Sequence, residues 1–126
     1  MIKKSISTNG APAAIGPYNQ AVVYDHMVYC SGQVAIHPES GELAGSGTVE
    51  QMEQVMSNLG EVLKAAGSHW DKVLKCTIYL IDMSEFAAVN EVYGEYFRNE
   101  QPAREAVAVA ALPKNARVEV SCIAHL

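Results

Sequence analysis

Two charged residues stand where apolar strands would not ordinarily put them. Arg104 lies at the mouth of the run Ala106-Val107-Ala108-Val109, just after Pro102-Ala103, and Glu119 lies inside Val118-Glu119-Val120-Ser121-Cys122-Ile123. A guanidinium forks onto a carboxylate through two parallel hydrogen bonds, and a carboxylate can orient or deprotonate a water. Together they would suit hydrolysis of a small carboxylic acid. A structural Arg104–Glu119 ion pair, or two unrelated residues on the solvent face of a strand, gives the same pattern, and the pattern alone favours these plainer accounts.

Other chemistries find less support. No G-x-x-x-x-G-K, G-x-G-x-x-G, H-E-x-x-H or G-x-S-x-G motif occurs. His26, His37, His69 and His125 are far apart and fall at turns or the C-terminus, so the sequence predicts solvated histidines and no metal site. Cys30, Cys76 and Cys122 lack C-x-x-C spacing and each sits in an apolar, strand-like segment, which predicts buried free thiols in a reducing compartment. The net charge is −5 and the basic residues are scattered except for Lys3-Lys4, a poor match for nucleic acid or an anionic membrane surface. No apolar run has the length of a membrane span, and the first residues lack a signal-peptide core, so a cytoplasmic protein is expected.

The elements that must position these residues are readable from periodicity. The length of 126 residues and 49% apolar content predict one domain with one core. Residues 2–7 suit a short strand, and the Pro- and Gly-rich stretch to Tyr18 excludes helix. Ala21–Tyr24 and Met27–Cys30 flank Asp25-His26 as a hairpin would, and Val34-Ala35-Ile36 reads as a third apolar run. A helix is predicted from Thr48 as N-cap, with Gln51 as capping-box partner, an apolar stripe Met52, Val55, Met56, Leu59, Val62, Leu63 and Ala66, and Gly67 as its stop. Residues 73–81 read as a central strand covered on two sides. A second helix is predicted from Ser84 to about Asn99, and two more strands over Ala106–Ala110 and Arg117–Ala124, joined by the Leu112-Pro113-Lys114-Asn115 turn. The order predicts an α+β fold, a mixed β-sheet with both helices on one face. Tyr24, Tyr29 and Tyr79 suggest a second, partly apolar sheet face that self-association would cover.

Five segments carry a family resemblance: Ala11-Pro12-Ala13-Ala14-Ile15-Gly16-Pro17-Tyr18-Asn19-Gln20, Ser31-Gly32-Gln33, Phe86-Ala87-Ala88-Val89-Asn90-Glu91-Val92-Tyr93, Pro102-Ala103-Arg104 and Leu112-Pro113-Lys114. In the same order along the whole chain, they resemble the Rid family of reactive-intermediate deaminases, also called the YjgF family. The resemblance implies a chorismate-mutase-like fold and a homotrimer with active sites in clefts between subunits. It also implies cofactor-free hydrolysis of 2-aminoacrylate, 2-aminocrotonate and their imines to 2-keto acids and ammonia.

Position by position, the resemblance makes Arg104 the grip on the substrate carboxylate and Glu119 the group that positions or activates water. It makes Tyr18 a cleft tyrosine and Ser31 and Gly32 the strand-end pair beside the ligand. Asn90, on the second helix, matches a polar position counted with the substrate-binding residues, its role there being to hold the loop near the cleft. Departures fall at Glu105-Ala106, where the best-known deaminases have Ser-Cys, and at a short Asn99-Glu100-Gln101 segment. Ala106 keeps only its backbone groups for a ligand, and strand alternation turns Glu105 away from Arg104. Three alternatives stay open: deamination of another imine such as an aminomuconate, a non-catalytic small-acid-binding or chaperone-like trimer, and, least supported by the charge, an endoribonuclease.

Overall fold

In the computed structural model, which describes residues 2–126, six strands make one mixed sheet. They are β1 (Lys4–Ile6), β2 (Ala21–Tyr24), β3 (Met27–Gln33), β4 (Val73–Leu80), β5 (Ala103–Ala108) and β6 (Val118–His125), in the spatial order β1-β2-β3-β6-β4-β5. All neighbours are antiparallel except β4 and β5, which run parallel. Parallel neighbours need a crossover, and helix α2 (Phe86–Gly94) supplies it. Helix α1 (Thr48–Ala65) lies against β3, β6 and α2, so both helices cover one sheet face as the sequence predicts.

Alternation fixes which side chains meet the helices. Along β6, Val118, Val120, Cys122 and Ala124 are buried, while Glu119, Ser121, Ile123 and His125 are half-exposed on the other face. Register carries the same parity outward: Cys122 stands beside Cys30 and Cys76, and Cys76 beside Arg104. Glu119 instead stands beside Tyr79, which neighbours Val107. Contrary to the expectation for residues 73–81, β4 is covered on one face only within the chain. Its other face, with Tyr29, Tyr79, Ile123 and Val107, remains open.

The tight connection between β2 and β3 is the predicted hairpin, with Asp25 and His26 both at positive φ (48° and 65°), as a two-residue primed turn requires. Helix α1 buries its predicted stripe from Met52 to Leu63. Its N-cap, however, is Gly47, whose N–H donates to Glu50 Oε1 at 2.9 Å. Thr48 and Gln51 are taken elsewhere: Arg117 donates from Nε to Thr48 Oγ1 at 2.8 Å and from its backbone N to Gln51 Oε1 at 2.9 Å. Glu85 completes that cluster by pairing with Arg117 and Thr48, tying the start of α1 to the start of β6. Gly67, at φ 85°, ends the helix through paired bonds, Ser68 N–H to Leu63 O and Gly67 N–H to Lys64 O.

Other limits differ from expectation: β3 runs on to Gln33, the second helix starts at Phe86, not Ser84, and β5 ends at Ala108, not Ala110. Val34-Ala35-Ile36 is not a regular strand; it holds a lone bridge from Ile36 to Leu43, and the buried Asn58 donates to the Val34 and Ile36 carbonyls. The second helix stops at Gly94 instead of about Asn99, because the chain turns to lay Tyr96 and Phe97 against Trp70, with ring centroids 5.1 and 5.4 Å away. β5 begins at Ala103, not Ala106, so Arg104 lies within the strand.

Candidate active site

The first half of the site is built around a bulge. Between Cys30, opposite Cys122, and Gln33, opposite Val120, β3 carries two residues, Ser31 and Gly32, against the single Ser121 of β6. The extra residue re-aims the strand end beside the loop that holds Tyr18. Ser31 locks that loop, its Oγ donating to Asn19 O at 2.6 Å and its N–H to Gln20 O at 3.0 Å.

Gln20, only 3% exposed, staples the rest of the loop: its amide nitrogen donates to Thr8 O and Pro12 O, and its oxygen accepts from Thr8 N–H at 2.7 Å. A buried amide between a turn-rich segment and a strand needs partners, and the loop backbone is what lies within reach. That was the signal by which the sequence could have given Gln20 a role of its own. Tyr18, with Gly16 at φ 124° before it, is left half-exposed on a cleft of about 780 Å3 that Ser31, Gly32 and Lys114 also line.

Glu119 lies directly behind Gly32. A Cβ at Gly32 would sit 2.8 Å from the Glu119 carboxyl carbon, so glycine is what makes room for the carboxylate. Glu119 forms no ion pair among the described residues, and burial lifts its pKa above the usual 4.5. Such a group is suited to accepting a proton and returning it. If it acts as the base, turnover should fall on the acid side with a midpoint above 4.5, and Glu119→Gln should erase that limb in a pH–rate profile. Stability follows the same shift: the folded state holds this proton more tightly, so Glu119's contribution is full below the unfolded pKa and declines as pH rises through the folded one.

The second half of the site is on the opposite face. Arg104 Nη1 donates to Asn90 Oδ1 at 2.6 Å, and the guanidinium carbon stands 5.2 Å from the centre of the Phe86 ring and 5.0 Å from that of Tyr93. No carboxylate pairs with Arg104 among the described residues. Glu105 turns to the open face and pairs with Lys75, as alternation predicts. Ala106, two residues on, shares Arg104's face and packs half-buried against the core. Since β5 is an edge strand, alternate backbone groups along it point outward without a strand partner.

The seven residues singled out in the sequence therefore divide. Tyr18, Ser31, Gly32 and Glu119 gather at the bulge, while Arg104, Asn90 and Ala106 lie at the β5 edge on the helix-covered face. A direct Arg104–Glu119 ion pair within one chain is excluded by strand parity, because the two point to opposite faces of the same sheet. The cysteines are buried and free, and no group of three or more His, Cys, Asp or Glu among the described residues is placed to hold a metal ion.

The family model described as Endoribonuclease L-PSP matches residues 8–126. The 2-iminobutanoate/2-iminopropanoate deaminase of Mus musculus is 53% identical over 124 residues, which is 98% of this chain and 92% of that protein. A protein of Yersinia pestis described as belonging to the conserved Rid protein family superposes with a TM-score of 0.97 at 41% identity, covering 99% of this chain and 100% of the other.

The chain belongs to the Rid family.

Within the Rid family the structural likeness extends to Escherichia coli TdcF, solved with bound serine, at a TM-score of 0.93, 36% identity and 98% of each chain.

Proposed function

We propose that this Rid protein hydrolyses the imines and enamines of short 2-keto acids, among them 2-aminoacrylate and 2-aminocrotonate, releasing ammonia and pyruvate or 2-oxobutanoate. The observation that carries the proposal is the placement, on opposite faces of one sheet, of a guanidinium and a half-buried carboxylate that have no ion-pair partner among the described residues. One small acid cannot touch both in a single chain. A second copy, laid so that its bulge faces the Arg104 edge of the first, brings them to one cleft.

A homotrimer with three such clefts satisfies this requirement and covers the open face that carries Tyr29, Tyr79 and Ile123. In each cleft Arg104 donates two parallel hydrogen bonds to the substrate carboxylate, with Asn90 behind it. Tyr18, Ser31 and Gly32 of the neighbouring copy line the other wall, and outward backbone groups around Ala106 offer further partners.

The reacting form is the protonated imine, which the enamine reaches by protonation at C3. Glu119 takes a proton from water as the oxygen attacks C2 and the C=N electron pair moves onto nitrogen, giving a neutral carbinolamine. It returns that proton to the nitrogen and then takes the hydroxyl proton as the C=O forms and the C–N bond breaks, so that ammonia leaves with the bonding pair. The uncatalysed reaction already proceeds in water, so carboxylate capture and one acid–base group, worth roughly a hundred- to ten-thousandfold, suffice without a cofactor.

The names of the close relatives support this reading, as does the serine bound by TdcF, an amino acid of similar size and charge. Buried free thiols fit a reducing compartment, and we place the enzyme in the cytoplasm. The family model's description suggests ribonuclease chemistry instead, but a net charge of −5 and scattered lysines and arginines give RNA phosphates little to bind.

Ammonia release from 2-aminocrotonate, generated in place from threonine by a threonine dehydratase, tests the assignment. The protein should accelerate release well above the spontaneous rate. Binding of 2-oxobutanoate with no acceleration would make it a small-acid-binding protein instead.

A further inference from the structure

Asn90, Phe86 and Tyr93 occupy one face of α2, at the four- and three-residue spacings that bring helix side chains together. All three converge on one group, the Arg104 guanidinium: Asn90 by a hydrogen bond, the two rings at 5.2 and 5.0 Å from its central carbon. We infer that Phe86 and Tyr93 are positioning residues of this enzyme, an aromatic clamp that fixes Arg104 for carboxylate capture while leaving its charge and N–H fork unspent. The inference rests on the proposed role of Arg104.

The physical reason lies in what each kind of partner consumes. A carboxylate neighbour would hold the guanidinium equally still, but it would neutralise the charge and occupy the hydrogen-bonding edge that the substrate needs. An aromatic face attracts the cation through its quadrupole and uses no N–H. Asn90 takes one, and the remaining N–H groups stay free.

Arg104 needs such support because its strand is a sheet edge and its side chain is exposed, so little else restrains it. Tyr93 is nearly fully buried, and its hydroxyl lacks a hydrogen-bond partner by geometry among the described residues, although the Cys76 thiol lies alongside. The ring is the part of Tyr93 in contact with Arg104, so the hydroxyl is dispensable for the clamp.

Binding of 2-oxobutanoate by calorimetry, with steady-state turnover of 2-aminocrotonate, tests the clamp in the intact oligomer. Phe86→Leu should weaken 2-oxobutanoate binding and raise KM about tenfold with a smaller change in kcat, while Phe86→Tyr and Tyr93→Phe, which keep the rings, stay within about twofold of wild type. In an Arg104→Ala background Phe86→Leu should add nothing, since the group it positions is gone. Loss on Arg104→Ala with wild-type behaviour of Phe86→Leu would overturn the clamp and leave the function standing. An equal further loss in the double variant would also overturn it, by showing that the ring acts on the ligand or the fold. Wild-type binding by Arg104→Ala would overturn the underlying reading of Arg104, and the clamp with it.

Discussion

Arg104→Ala should lower kcat/KM for 2-aminocrotonate about a thousandfold while leaving the melting temperature near that of the wild type. The size follows from the bonds lost. Charge-assisted, bidentate capture of a carboxylate in a closed cleft contributes on the order of 4 kcal/mol, and each 1.4 kcal/mol is roughly a factor of ten. The fold should be indifferent because Arg104 is exposed and its contacts, Asn90 and two ring faces, are small contributors to stability. Arg104→Lys keeps the charge but loses the planar fork, so it should recover only a small part of the rate. Steady-state kinetics beside thermal melts separate the two effects. A wild-type rate in Arg104→Ala would remove the central residue from the account.

Gly32→Ala should be the second severe change, about a hundredfold in turnover, without unfolding the protein. The added methyl occupies the space of the Glu119 carboxyl group, whose carbon lies 2.8 Å from that position. What must move is the end of a flexible side chain, and Gly32 is not among the residues at positive φ, so the backbone accommodates alanine. The carboxylate swings away from the water it would activate. Combining Gly32→Ala with Glu119→Gln should add little to the loss from Glu119→Gln alone, because both remove the same function. Additive losses in that pair would show that Gly32 matters for some other reason, such as direct backbone contact with the ligand.

Much of the layout was legible in the residues because it depends on local pattern. The α1 stripe from Met52 to Leu63 follows the helical period, and the Asp25-His26 hairpin follows from two β-rich runs separated by two residues. Alternation alone was enough to turn Glu105 away from Arg104. What was not legible depends on distant partners. Thr48 is a good cap by type, yet Arg117, far along the chain, claims its hydroxyl and leaves capping to Gly47 and Glu50. The second helix ends early because Trp70 gathers Tyr96 and Phe97.

The candidate site shows the same division. Arg104 and Glu119 attract notice as charges in apolar runs, and among the described residues neither has an oppositely charged partner. Their placement on opposite faces depends on the register of β5 against β4 and of β4 against β6, which no local pattern in either segment specifies. The bulge at Ser31-Gly32 is likewise a property of the strand pair, visible only against β6. Local pattern therefore suggests the two residues as a pair, whereas the fold places them on opposite faces of one sheet, and the proposed cleft draws one from each of two subunits.

The most direct test of that requirement is activity in mixed assemblies of two inactive variants. Arg104→Ala and Glu119→Gln chains, co-expressed with different tags and purified as mixed oligomers, should regain activity. In any mixed trimer, whether two-to-one or one-to-two, one cleft in three combines an intact Arg104 from one chain with an intact Glu119 from its neighbour. Recovery approaching a third of the wild-type rate is the predicted result. Mixed assemblies as inactive as either parent would contradict it, and would mean that the two residues do not meet in a cleft between subunits.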